Sequence, residues 1–156
     1  MSVSINDVAP DFKLQNTNKD FVQLSDFKGE RNVLILFYPL AFSGTCTTEL
    51  CSTRDNLKIY ESFNAEVIGI SIDSFFTQKA FKDSQNLNFT LLSDFNKTAS
   101  ESYGILYEDF FGMKGVSKRS AFVVDKEGVI KYAEVLEDAS QVPNFNAIQE
   151  ALAGLD

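Results

Sequence analysis

Two nearly unbroken apolar runs organise the chain: Val33-Leu34-Ile35-Leu36-Phe37-Tyr38 and Val67-Ile68-Gly69-Ile70-Ser71-Ile72. Neither alternates polar with apolar residues, so both predict strands buried on both faces of a sheet. Phe12–Leu14 and Phe21–Leu24 flank the polar stretch Gln15–Asp20 and predict a small hairpin. A helix is expected from about Thr45 to Phe63, with Leu50, Leu57 and Tyr60 on one side, and a second over Phe75–Ser84. Phe89–Leu92 reads as a short strand, after which Ser93 or Asp94 caps a helix running to about Tyr103. Glu108–Lys118 carries two glycines and little periodicity, and reads as loop. Ala121–Val124 and Val129–Val135 flank the turn Asp125-Lys126-Glu127-Gly128, a hairpin signal. Pro143 then starts a last helix with Phe145, Ile148 and Leu152 facing inward.

Buried strands that alternate with helices need crossover connections and a largely parallel centre, and the terminal hairpin adds antiparallel strands. The expectation is an α/β protein with a mixed central sheet flanked by helices. The β-α-β then β-β-α order is that of a thioredoxin-like fold with an N-terminal β-hairpin extension. A chain of 156 residues with no linker-like stretch suits one domain over 1–156.

Composition narrows the chemistry. The chain has no histidine, which excludes a Ser–His–Asp triad, a Cys–His pair and histidine-bound zinc; two cysteines are too few for a thiolate-rich metal site. Acidic residues exceed basic ones by 22 to 14, a net charge of −8, so no nucleic acid partner is expected through a general basic surface. The longest apolar run is too short to cross a bilayer, and Met1–Asp7 shows neither a basic nor an apolar leader segment. These features predict a cytoplasmic protein with no membrane partner.

Chemistry concentrates after the first buried strand, in Tyr38-Pro39-Leu40-Ala41-Phe42-Ser43-Gly44-Thr45-Cys46. This segment leaves the carboxyl end of the sheet, where sites form in open α/β folds. Ser43 or Thr45 as N-cap puts Cys46 in the first helical turn. Free backbone N–H groups and the positive end of the helix dipole there favour thiolate over thiol; cysteine pKa values at such positions fall from ~8.5 to as low as ~3.5–7.5 when cations assist. Taken alone, the residue is as consistent with a small buried hydrophobe. Ser43 alone reads as a helix cap and Pro39 as a strand terminator.

The spacing Pro39-x-x-x-Ser43-x-x-Cys46 resembles the active-site pattern P-x-x-x-[T/S]-x-x-C of the peroxiredoxins. Ala9-Pro10-Asp11-Phe12, Gly69-Ile70-Ser71, Leu91-Leu92-Ser93-Asp94 and Arg119-Ser120-Ala121-Phe122-Val123-Val124-Asp125 resemble further segments of that family in order. The nearest subgroups are the bacterioferritin-comigratory (Q-type) and AhpE-like ones. The resemblance implies a thiol peroxidase for hydrogen peroxide and organic hydroperoxides that needs no metal, haem or flavin. It assigns Cys46 as the peroxidatic cysteine, Ser43 as the hydroxyl that bonds the peroxide, Pro39 as a shield for the sulfur and Arg119 as the cation that stabilises it. It also places Glu49, three residues after Cys46, near the arginine. Glu49 faces the side of the helix that carries Cys46, where its charge opposes a thiolate. The other two arginines, Arg31 before a strand and Arg54 two turns along the helix, cannot easily reach the sulfur. Lys118 is expected to point to solvent.

Cys51 follows Cys46 by five residues, which on an ideal helix is ~140° of rotation and ~7.5 Å of rise. The Cα separation then exceeds the ~7 Å limit for a disulfide. In Q-type peroxiredoxins with this offset, the resemblance implies, Cys51 resolves the sulfenic acid after local helix unwinding, and thioredoxin or a similar dithiol reduces the disulfide. Two alternatives stand beside it: a one-cysteine peroxidase resolved by an external thiol, and a non-enzymatic redox sensor. A C-x-x-C oxidoreductase is disfavoured by the C-x₄-C spacing. The resemblance also implies a homodimer packed near the active-site loop, with Phe42 and Phe110-Phe111 as candidate apolar anchors.

Overall fold

The computed structural model describes residues 2–155. Among these, seven strands form one sheet: β1 (Lys13–Asn16), β2 (Phe21–Gln23), β3 (Asn32–Phe37), β4 (Ala65–Ser71), β5 (Thr90–Ser93), β6 (Ser120–Val124) and β7 (Ile130–Val135). Their spatial order is β2-β1-β5-β4-β3-β6-β7. β3, β4 and β5 run parallel, while β1 joins β5, and β6 joins β3, antiparallel. The mixed sheet of a thioredoxin-like fold is therefore present, with the β1–β2 hairpin added at one edge.

β3 and β4 form the centre because every position of β3 is buried, its side chains alternating between two cores. Val33, Ile35 and Phe37 join Ile68, Ile70, Tyr103 and Phe122 on one face. Leu34, Leu36 and Tyr38 join Val67, Leu91 and Ala121 on the other, under α1 (Gly44–Asp55), α2 (Leu57–Ser62), α3 (Phe75–Gln85) and α5 (Phe145–Ala153). Gly69 in β4 lies where a Cβ would come within 2.8 Å of Leu91 Cδ2, so the packing there admits no side chain.

Three details depart from the sequence reading. The expected Thr45–Phe63 helix is broken at Asn56, whose side-chain amide donates to the Ser52 carbonyl 2.9 Å away and whose backbone leaves the helical region, separating α1 from α2. The last helix starts at Phe145, capped by the Asn144 side chain accepting from Ala147 N, so Pro143 precedes the helix and does not begin it. The helix α4 (Thr98–Ser102) starts after Lys97; Asp94 still serves it, its carboxylate accepting from Ala99 N at 3.0 Å and Ser100 N at 2.7 Å. That places a negative charge at the helix N-terminus, where the dipole favours it.

Candidate active site

The parallel strands deliver the site. β3 and β4 both point their carboxyl ends toward the loop 38–43, and the antiparallel register pairs Phe37 with Ser120. Arg119, one residue before β6, is thereby carried to the same edge from a distant part of the sequence.

The loop is held in a strained shape. Phe42 has φ of 68°, in the left-handed region that costs a non-glycine residue on the order of 1 kcal/mol or more. Three contacts impose it. Ala41 N donates to Asp73 Oδ2 at 2.8 Å, the Ser43 hydroxyl donates to the Leu40 carbonyl at 2.9 Å, and the Phe42 ring packs edge-on against Phe81 at 5.1 Å. Asp73 is itself fixed by the Ser71 hydroxyl at 2.7 Å, and Gln78 donates to that hydroxyl at 3.0 Å. Pro39 is buried at the start of the loop.

Ser43 occupies the N-cap position of α1, but its hydroxyl makes no capping bond. With its proton given to Leu40, the oxygen keeps lone pairs for an incoming donor. The amides of the first turn have no side-chain acceptor. Cys46 is the third residue of α1, as the spacing predicts.

Cys46 and Glu49, three residues apart, face Arg119. Arg119 Nη2 donates to Cys46 Sγ at 3.2 Å and Nη1 to Glu49 Oε1 at 2.7 Å. Nε and Nη2 also donate to the Ala139 carbonyl, at 3.1 and 3.0 Å. All three side chains are essentially inaccessible to solvent. Burial works against the guanidinium charge, but Glu49 and Cys46 hold its pKa above the ordinary arginine value. Burial pushes the Glu49 carboxyl up to about 7 against the opposing pull of Arg119. The unpartnered Glu49 Oε2 is where that desolvation falls hardest. The 2.7 Å contact on the other oxygen favours the ionised form, and the guanidinium stands between the carboxylate and the sulfur, offsetting the direct opposition of Glu49 to a thiolate.

Cys51 lies further along α1, half-buried, with its thiol 3.5 Å from Gln85 Oε1, and both cysteines are free thiols. Lys118 does not point away into solvent: its ammonium pairs with Glu137 at 2.8 Å and lies over the Tyr107 ring. A cavity of about 590 Å³ opens above the site, bounded by Ser43–Thr45, the aromatic side chains Tyr107, Phe110 and Phe111, residues 137–140 and Arg119 at its floor. Cys46 does not line this cavity and has no exposure.

Sequence reasoning missed Asp73 and the Ala139 carbonyl, whereas Phe110 and Phe111, named there as candidate apolar anchors, line the cavity. Asp73 had a signal, an acidic residue just beyond the end of a buried strand. Ala139 had none, because any residue supplies a carbonyl. Among the described residues, no group of three or more His, Cys, Asp or Glu side chains is placed to hold a metal ion, and no helix is long and apolar enough to cross a membrane.

Comparison with known proteins shows the family of the chain. Residues 5–133 match the family described as AhpC/TSA. Alkyl hydroperoxide reductase E of Mycobacterium tuberculosis is 35% identical over 98% of this chain and 98% of its own length. A putative bcp peroxiredoxin of Buchnera aphidicola is 40% identical over 80% of this chain and 79% of its own. Among solved structures, peroxidoxin BcpB of Mycobacterium tuberculosis superposes with a TM-score of 0.88 at 25% identity, covering 99% of both chains. The reduced 2-Cys peroxiredoxin of Plasmodium vivax gives 0.86 at 28% identity, covering 97% of this chain and 81% of the other. With a buried strand, a helix-start cysteine and an arginine from across the sheet, this chain belongs to the AhpC/TSA family and is a peroxiredoxin, a thiol-dependent peroxidase.

Proposed function

We propose that Cys46 is the peroxidatic nucleophile and that Arg119, Ser43, Pro39 and Glu49 build its site. The 3.2 Å contact from Arg119 Nη2 to Cys46 Sγ carries this reading. A guanidinium aimed at a sulfur stabilises the anion, and thiolate is the reactive form. The sulfur attacks one oxygen of the hydroperoxide and the O–O bond breaks. Cys46 becomes a sulfenic acid, and the other oxygen leaves with a proton as water or alcohol. Ser43, its own proton directed at Leu40, accepts from the peroxide O–H, while Arg119 and the first-turn amides face the oxygen on which charge develops. Glu49 orients Arg119, and Pro39 keeps water from the sulfur. Because Cys46 has no exposure, attack requires the helix start and its loop to move outward as peroxide enters.

Cys51 is the resolving residue in this proposal. Its thiol attacks the Cys46 sulfenic acid, water leaves, and a disulfide forms once the first turns of α1 unwind. Low stability at a helix start supports such opening. Thioredoxin or a similar dithiol then reduces the disulfide and is itself oxidised. Two free cysteines suit a reducing compartment, the cytoplasm. A homodimer packed near the active-site loop is supported by Phe42, 53% exposed within that loop.

The test is rapid-quench alkylation with mass readout after one equivalent of peroxide, which suits a chain without tryptophan. Cys46→Ser abolishes the fast oxidation. Cys51→Ser keeps it but accumulates sulfenic acid and forms no intramolecular disulfide. Parental turnover of Cys51→Ser with thioredoxin would remove Cys51 from the cycle and favour resolution by an external thiol.

A further inference from the structure

We propose that Arg54 and Asn88 position Cys51 for the resolving step: they pin the last turn of α1 to the end of α3, so that unwinding stops at Cys51 and Cys46 is the partner that moves. The inference rests on the resolving role proposed above for Cys51 and adds to it where the helix opens and what holds the part that stays.

α1 has little intrinsic stability. Along Gly44–Asp55 only Glu49, Leu50 and Arg54 are strong helix formers. The helix therefore depends on its contacts, and these differ between its two ends. Its start is weakly held. Ser43 gives no capping bond, and the first turn has no acidic residue to meet the helix dipole. The Thr47 and Thr48 hydroxyls turn back to the Ser43 and Gly44 carbonyls, a pattern that slightly destabilises a helix. The side-chain hydrogen bonds that tie this end to the sheet come from Arg119, through Cys46 and Glu49. The bond to sulfur is charge-assisted while Cys46 is a thiolate, and it weakens once the sulfur is a neutral sulfenic acid.

The far end is held by a reciprocal pair of hydrogen bonds. Carbonyls in the last turn of a helix lack intrahelical donors. Arg54, in the last turn of α1, donates through Nη1 to the carbonyl of Gln85, the last residue of α3. Asn88, just beyond α3, donates through Nδ2 to the Arg54 carbonyl at 3.3 Å. Arg54 Nε also meets Asp55 at 2.9 Å, which holds the guanidinium fork in place. Cys51 lies one turn before Arg54 on the same face, and its thiol meets the Gln85 side chain at 3.5 Å. In the resolving step the S–S bond forms as the S–O bond of the sulfenic acid breaks, and the oxygen leaves as water with the thiol proton. A Cys51 already fixed in place has less freedom to lose in that step than one on an unwound segment.

The test separates the two chemical steps by rapid-quench alkylation after one equivalent of hydrogen peroxide. In Arg54→Ala/Asn88→Ala, Cys46 is oxidised at the parent rate, whereas disulfide formation slows roughly two- to tenfold and sulfenic acid accumulates. Gln85→Ala forms the disulfide at the parent rate, because Arg54 bonds the backbone carbonyl of that residue. Hydrogen exchange on the disulfide form reports where unwinding stops. The Asn56 amide, bonded to the Ser52 carbonyl at 3.2 Å, stays protected in the parent and loses protection in the double variant, while amides 47–50 exchange fast in both. Disulfide formation that is unchanged or faster in the double variant overturns the proposal, as does an unprotected Asn56 amide in the oxidised parent. A loss in Gln85→Ala as large as in the double variant overturns it too, since the thiol contact would then be what matters. If Cys46 is oxidised but the parent forms no Cys46–Cys51 disulfide, the resolving role itself has failed and this inference with it.

Discussion

Replacing Arg119 by alanine removes four hydrogen bonds at once: one to the Cys46 sulfur, one to Glu49 and two to the Ala139 carbonyl. Two separable losses follow. For chemistry, the bond to sulfur is charge-assisted, and such bonds are worth about 1.5–3 kcal/mol. At 1.36 kcal/mol per tenfold, Cys46 oxidation slows by roughly 10- to 150-fold. For stability, Glu49 is left buried with no partner, and breaking a buried pair costs about 3–5 kcal/mol. Arg119→Ala in a Glu49→Gln background separates them: stability recovers because the orphaned charge is gone, while the slow peroxide reaction persists because the donor to sulfur is still missing. Arg119→Lys keeps the charge but not the planar fork, and falls between. The assays are rapid-quench alkylation for the rate and urea denaturation for stability. Oxidation of Arg119→Ala within twofold of the parent rate would refute the reasoning, as would recovery of that rate in the double variant.

Glu49 gives a pH-dependent expectation. Its carboxyl is raised from 4.5 to about 7 by burial, so the folded state holds a proton that the unfolded state has released between those values. The stability from that site is full below about pH 4.5 and is lost as pH rises through 7. Glu49→Gln flattens this slope, and parallel urea curves at every pH for the two proteins would contradict it. Asp73→Ala frees the Ala41 amide and relaxes the strained loop at a cost of about 1–3 kcal/mol. Hydrogen exchange at residues 40–45 then speeds and peroxide oxidation slows, whereas unchanged protection would show that Asp73 does not hold the loop. Gly69→Ala drives a methyl into Leu91 and costs about 1–3 kcal/mol by urea denaturation. Parental stability there would mean that the sheet yields freely at that point.

Much of this was legible in residue order because the physics behind it is local. The runs at 33–38 and 67–72 read as central strands, since short, nearly unbroken apolar runs suit strands buried on both faces. Cys46 had to start a helix once Ser43-Gly44 ended the loop. The break at Asn56 was not legible, because Leu57 and Tyr60 continue the helical spacing across it; the break depends on a side-chain amide turning back to the Ser52 carbonyl. Lys118 was misread for a related reason: its partner Glu137 lies on the far side of a hairpin, and only the folded β6–β7 register brings the two together.

The sequence by itself determined which strands are buried, where Cys46 sits in its helix, and that histidine has no part in the chemistry. These follow from periodicity, capping and composition, which act within a few residues or over the whole chain. The family resemblance named Arg119 beside Cys46 and Glu49, but only the tertiary structure decided the contacts that join them across 73 and 70 residues, that Asp73 pins the loop, and that a wide aromatic cavity lies against Arg119. Those contacts are set by strand pairing, and pairing is chosen by the global burial of the sheet, which no local pattern encodes.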